Sequence, residues 1–175
     1  MQHLTLCLLL KKLNIYGLDS SFQHWIKDYL SGRFQVVWID HCYSTYLPCD
    51  FGVPQGSILG HLIFLIFVND LAYHLKCPVE QYADDTTLSS SSRDIGILSQ
   101  ELTEDCNTLS NWMAQNSFKL NADKTTVLTL GTQRRLNSLE YSVDIYMDGL
   151  KLKESENMSE TLLGCQIQSN LKWTQ

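Results

Sequence analysis

Apolar residues recur along this chain with two periods, near 3.6 and near 2, and the changes between them divide it into elements. Residues 4–16 read as a helix stopped by Gly17 at its C-terminal cap. Asp19 or Ser20 can open a second helix, in which Phe22, Trp25, Ile26, Tyr29 and Leu30 form an i, i+3, i+4, i+7, i+8 stripe expected to be core, and Gly32 ends it. Residues 34–39 and 43–47 read as two strands joined by Asp40-His41-Cys42. A third helix runs from Ile58 to about Leu75, and its nearly all-round apolar start predicts burial. A short strand-like approach then reaches Ala83-Asp84-Asp85, and Thr86-Thr87-Leu88 suits a returning strand. The serines at 89–92 read as a loop. Ile95, Leu98, Leu102, Cys106, Leu109, Trp112 and Met113 line one face of a long helix. Later come a strand at 127–130, a basic turn at 131–135, a hairpin of 143–147 and 150–152 around Asp148-Gly149, and a final strand at 161–167.

With 175 residues, 44% of them hydrophobic, one core and one domain are expected. Six cysteines are scattered without a C-x-x-C pair, which favours reduced thiols in an intracellular protein over a disulfide framework or zinc site. The apolar stretch at 4–10 lacks a preceding basic residue and a small-residue cleavage site, so it does not read as a signal peptide. The longest apolar run, 58–68, is interrupted by Gly60 and His61 and is too short to span a bilayer. The expectation is an intracellular protein of the cytoplasm, nucleus or both, neither secreted nor membrane-bound. A net charge of −6 argues against a free-standing nucleic-acid binder with a basic face.

Neighbouring side chains of an extended strand point to opposite faces, so Asp84 and Asp85 can address one spot only if the backbone turns there. Two like charges so close repel unless water or a cation screens them. Carboxylate oxygens are ligands that Mg2+ prefers. The bland alternative is a solvated surface turn. Upstream, Gly52-Val53-Pro54-Gln55-Gly56-Ser57 combines glycines that let a backbone approach a ligand, a proline that stiffens the loop and an amide with a donor and an acceptor. An ordinary turn is the alternative here too. Ser57 can cap the following helix.

Together, Gly52-Val53-Pro54-Gln55-Gly56-Ser57 and Tyr82-Ala83-Asp84-Asp85 resemble the G-V-P-Q-G-S loop and F/Y-A-D-D hairpin of reverse transcriptases, specifically those of non-LTR (LINE, jockey-like) retrotransposons. The order of helix, Tyr16-Gly17 break, second helix and Ser31-Gly32-Arg33-Phe34-Gln35 is similar to the family's. Leu120-Asn121-Ala122-Asp123-Lys124-Thr125 resembles its L-N-x-x-K-T motif. Leu163-Gly164 with Leu171-Lys172-Trp173 resembles its L-G-x6-L-x-W segment. His61 stands where the family usually has proline. The resemblance covers about Leu9 to Trp173.

It implies an α+β fold: a palm-type antiparallel sheet backed by helices, incomplete, with fingers and most of the thumb absent. Residues 1–130 would be a partial palm and 131–175 its end with the start of the primer-grip and thumb segment. It implies Asp84, Asp85 and Lys124 as catalytic residues, Lys124 as general acid toward the pyrophosphate; a solvated lysine is the alternative. Asp84 and Asp85 would hold two Mg2+ ions in the intact family enzyme, and Pro54, Gln55, Gly56 and Tyr82 would contact nucleotide or template. The partners would be an RNA template, a DNA primer and deoxynucleoside triphosphates. Residues 1–18 contain no Asp or Glu where the family's first acidic motif is expected. Weak or absent metal binding and no polymerisation by the chain as it stands are therefore expected. The alternatives are a non-catalytic mobile-element remnant, whose exposed apolar surface predicts aggregation or a partner, or a nucleic-acid-binding or adaptor module on the same fold; the fragment without any partner is a further alternative.

Overall fold

The computed structural model describes residues 5–121, 124–137, 143–155 and 158–171. It is an α+β structure that divides into two compact units, one of residues 1–74, 81–86 and 112–119, the other of residues 75–80, 87–111 and 120–175.

In the first unit, α1 (Leu6–Ile15) ends at Tyr16, and Gly17 turns the chain at φ 77°. Asp19 caps α2 (Ser20–Leu30) by accepting a hydrogen bond from the Phe22 amide at 2.8 Å. The strands expected at 34–39 and 43–47 are real but broken into short pairs. β1 (Phe34–Gln35) pairs antiparallel with β4 (Leu47–Pro48), and β2 (Trp38–Ile39) with β3 (Cys42–Tyr43). The connection is the two residues Asp40-His41, at φ 46° and 65°, the both-positive pattern that matches strand twist in a tight hairpin. Cys42 therefore belongs to the returning strand. Ser57 caps α3 (Ile58–Val68), accepting from the Gly60 amide at 3.0 Å. The helix stops short of residue 75, and a 3-10 turn (Leu71–His74) follows.

Leu9, Leu13, Ile26, Leu30, Ile63, Phe64, Phe67, Leu71 and Trp112 are buried in this unit. Phe118 meets Phe64 and Phe67 edge-on and stacks on Trp112 with ring centroids 6.0 Å apart. Two expectations need correction. Trp25 is 48% exposed, because the α2 stripe is wider than the face that packs; Trp25 instead lies between Phe22 and Tyr29, both ring centroids 5.9 Å away. In α3, Ile58, Leu62 and Leu65 are exposed, so its all-round apolarity does not mean all-round burial.

The second unit is built on residues 95–111 of α4 (Ile95–Gln115), opened by Asp94, which accepts from the Gly96 and Ile97 amides. Buried Cys106, Val143, Ile145, Met147 and Leu152 form its core, with Leu88, Ile95, Leu98, Leu102, Leu120 and Val127 packed around them. The Asp148-Gly149 hairpin forms as expected, joining β8 (Tyr146–Met147) to β9 (Leu150–Lys151). Polar side chains of α4 pin it: Asn107 accepts from the Asp148 amide, and the Ser110 hydroxyl donates to the Asp148 carboxylate at 2.5 Å.

The strand expected at 127–130 shortens to β7 (Thr126–Val127), paired parallel with β10 (Lys153–Glu154). The basic turn at 131–135 runs into a five-residue helix, α5 (Gln133–Asn137). The segment expected as one final strand is a hairpin, β11 (Ser159–Leu162) and β12 (Cys165–Gln168). Leu163 and Gly164, at φ 50° and 81°, turn the chain between them. Among the described residues every sheet has two strands.

Candidate functional site

Two strands, β5 (Val79–Tyr82) and β6 (Asp85–Leu88), form the acidic hairpin. Its entrance is held by Asp105, only 1% exposed, whose carboxylate accepts from the Lys76 amide at 2.9 Å and the Cys77 amide at 2.6 Å. The Ser89 amide donates to the Pro78 carbonyl and closes the open end. At the tip, Ala83 takes φ 53°, the left-handed region that L residues seldom enter, and lets the chain reverse in two residues. Asp84 is the second turn residue and Asp85 the first of β6, with Tyr82 on the other side of the turn. The backbone thus turns at Ala83-Asp84, beside the two adjacent carboxylates. Asp84, Asp85 and Tyr82 are all exposed, and neither carboxylate has a hydrogen bond or ion pair among the described residues.

The loop before α3 is closed by its own polar groups. Pro54 offers a carbonyl that accepts from the Ser57 amide at 3.3 Å and the Ser57 hydroxyl at 2.8 Å, while that hydroxyl caps Gly60. A Cβ at Gly60 would lie 2.8 Å from the Ser57 oxygen and 3.0 Å from the Pro54 carbonyl, so this fold of the loop requires glycine there. Gly52 and Gly56 adopt φ 73° and 80°. Within the loop Gln55 and Gly56 are exposed and Pro54 is half-buried. Arg33 braces the approach. Its Nε donates to the Leu30 carbonyl at 2.8 Å, and one terminal nitrogen donates to the Gly52 carbonyl at 2.8 Å and the Phe51 carbonyl at 3.3 Å.

The loop residues Pro54, Gln55 and Gly56 and the hairpin residues Tyr82, Asp84 and Asp85 fall in the first unit; Lys124 falls in the second and is exposed. The Lys124 amide donates to the Asn121 carbonyl at 3.1 Å. Its motif neighbours Ala122 and Asp123, like Lys172 and Trp173 of the last motif, lie outside the described residues. Among the described residues no group of three or more His, Cys, Asp or Glu side chains comes together as a metal cluster. Two adjacent carboxylates with free oxygens nevertheless suit Mg2+, which is held by one or two carboxylates with phosphate oxygens and water completing its shell.

Two polar residues that carry weight here escaped the sequence reading. Lys12 is buried, and its ammonium donates to the Phe67 carbonyl at 2.7 Å and to Asp70 at 2.6 Å, lying 4.4 Å and 4.6 Å from the ring centroids of Phe67 and Trp112. Burial lowers its pKa, and the hydrogen bond and charge of Asp70 act against that shift. Asp105 is the second. The signal was a charged residue inside an apolar stripe: Lys12 between Leu9 and Leu13, and Asp105 in the run from Leu98 to Trp112. Among the described residues no helix is long and apolar enough to cross a membrane.

Residues 3–167 match the family described as reverse transcriptase (RNA-dependent DNA polymerase). The chain is 36% identical over 108 residues to the probable RNA-directed DNA polymerase from transposon BS of Drosophila melanogaster, covering 57% of this chain and 12% of that protein. It is 28% identical over 116 residues to the RNA-directed DNA polymerase from mobile element jockey of the same organism, covering 62% and 13%. With the probable RNA-directed DNA polymerase from transposon X-element, also of Drosophila melanogaster, it shares 26% over 115 residues, covering 63% and 13%. The matched segments thus span 12–13% of the length of these curated relatives.

Proposed function

The chain belongs to the reverse transcriptase (RNA-dependent DNA polymerase) family and is related to the polymerases of jockey-like non-LTR retrotransposons; from that premise we propose that it is the palm segment of an RNA-directed DNA polymerase. Residues 1–130 form the partial palm in this reading, and 131–175 its end and the approach to the primer grip. The reaction is attack of a DNA primer 3′-hydroxyl on the α-phosphate of a deoxynucleoside triphosphate opposite an RNA template, with pyrophosphate leaving. The observation that carries the reading is the pair of carboxylates, Asp84 in a two-residue turn and Asp85 just after it, without a partner among the described residues and in one unit with the closed Gly52–Ser57 loop.

Each group has a part that follows from its chemistry. Asp84 and Asp85 would hold Mg2+, which when bound supplies charge neutralisation of the phosphates and activation of the attacking hydroxyl. Gln55, exposed on a loop closed by Pro54 and Ser57, offers an amide donor and acceptor to the nucleotide or template base. Tyr82 presents an exposed ring beside the turn, suited to packing against a sugar or base. Lys124 carries a proton for the leaving pyrophosphate.

Equilibrium binding of Mg·dTTP to the chain, with primer extension on an RNA template alongside, tests the reading. Asp84→Asn is expected to weaken the Mg2+-dependent binding by about tenfold or more, the loss of one charge-assisted contact, and to abolish any extension. Binding that is indifferent to Asp84→Asn refutes it.

A further inference from the structure

Arg33 has no part in the reading above, yet its guanidinium makes three hydrogen bonds, all to backbone carbonyls. Leu30 is the last residue of α2, so its carbonyl is among those a helix end leaves without an internal donor. Phe51 and Gly52 are the two residues that lead into the Pro54-Gln55-Gly56 turn. The backbone brings Arg33 there: the Cys49 amide donates to the Arg33 carbonyl at 2.8 Å, one position beyond the Phe34–Pro48 pair of β1 and β4. Gly52 is buried and in a left-handed conformation, so its carbonyl direction is set by an unusual backbone that the guanidinium holds.

A planar guanidinium reaches several acceptors in a fixed fork, which a lysine ammonium on its flexible stem does not reproduce. The loop fixes itself at one end, where Pro54, Ser57 and Gly60 interlock. Arg33 fixes the other. Between the two anchors stands Gln55, exposed.

We propose that Arg33 is a positioning residue for the nucleotide site: by holding the Phe51 and Gly52 carbonyls against the end of α2, it fixes the direction in which Gln55 is presented to an incoming deoxynucleoside triphosphate. This rests on the reading of the loop as a nucleotide contact.

The test uses Arg33→Lys, which keeps the charge and loses the fork, with two readouts. The first is chymotryptic cleavage at the Phe51–Gly52 bond, between the two residues whose carbonyls the guanidinium holds; Tyr73, 83% exposed and in a separate turn, is the internal control. The second is Mg·dTTP affinity, measured for Arg33→Lys, Gln55→Ala and the double variant. Cleavage at Phe51 is expected to rise about tenfold with Tyr73 unchanged, as a local opening would give. Affinity is expected to fall about tenfold in Arg33→Lys, and no further when Arg33→Lys is added to Gln55→Ala, because groups acting through one contact are not additive.

Unchanged cleavage at Phe51 overturns the brace, and equal acceleration at Phe51 and Tyr73 shows a general loss of structure instead. An equal loss of affinity in both backgrounds overturns the action through Gln55. A wild-type chain that binds no Mg·dTTP refutes the nucleotide site and this role with it, and the cleavage result still reports separately on whether the brace exists.

Discussion

Lys12 and Asp70 form an ion pair whose two halves stand in different surroundings, and that asymmetry predicts an order of effects. The Lys12 side chain is 10% exposed and that of Asp70 30%. In Asp70→Ala the ammonium stays among the Phe67 and Trp112 rings with the Phe67 carbonyl as its one remaining acceptor among the described residues. Removing one partner of a fully buried pair costs about 3–5 kcal/mol because the other charge is stranded. The partial exposure of Asp70 reduces this, and about 2–4 kcal/mol is expected. In Lys12→Met the stem volume is kept, Asp70 turns to water, and the main loss is the bond to the Phe67 carbonyl at the end of α3, about 1–2 kcal/mol.

The double variant should resemble Lys12→Met alone. Urea unfolding followed by circular dichroism and tryptophan emission reads all three. Asp70→Ala no more damaging than Lys12→Met refutes the argument. The pH dependence carries an independent sign. Burial places the Lys12 pKa in the folded chain below its ordinary 10.5, and without Asp70 it falls further. Between the lowered value and 10.5 the unfolded chain binds more protons, so stability from this group rises with pH. The deficit of Asp70→Ala against the wild type should therefore shrink as pH rises toward 10.5.

The cysteines and the acidic turn make two further tests. Burial, with the Asp105 carboxylate adding to it at Cys77, pushes the thiols of Cys77 and Cys106 from 9.0 to about 11. A two-unit shift lowers the thiolate fraction about a hundredfold, so at pH 8 iodoacetamide should label exposed Cys7, Cys42 and Cys165 long before either; equal labelling rates refute their burial. Because the folded values lie above the unfolded one, the same two groups hold their stabilisation below pH 9 and lose it as pH rises through about 11. Ala83→Gly should raise stability by about 0.5–1 kcal/mol in thermal or urea unfolding, since it removes a left-handed alanine at φ 53°, and a loss of stability contradicts that turn geometry.

What the sequence made legible here was local. Asp19 and Ser57 cap their helices through amides three residues on, and Asp148-Gly149 turns on its own φ preferences. The Ala83-Asp84 turn was readable for a similar reason, since two adjacent carboxylates cannot share a side of a straight strand. The misses depended on distant residues. Trp25 satisfies the helical stripe, but nothing in α2 itself says how wide a face its neighbours cover. The Leu163-Gly164 turn hid inside an apolar run because its leucine offers no turn chemistry. Lys12 finds its partners 55 and 58 residues away and Asp105 its own 28 and 29 away, beyond the reach of any window along the chain. For the site, the exposure of the acidic tip fits a solvated turn as well as a pair of metal ligands. The brace from Arg33 was invisible, since an arginine between a helix and a strand reads as surface.

The adjacent lysines Lys11 and Lys12 differ in one more way, because only the first meets solvent. An amine-directed acylating reagent should therefore mark Lys11 and spare Lys12 for as long as the first unit is folded. The two sit side by side in one peptide, so mass spectrometry of that peptide compares them under identical conditions. A single tag on it counts folded molecules and a double tag counts unfolded ones. The chain thus carries its own folding gauge, readable in a crude mixture, without an added label and without a known activity.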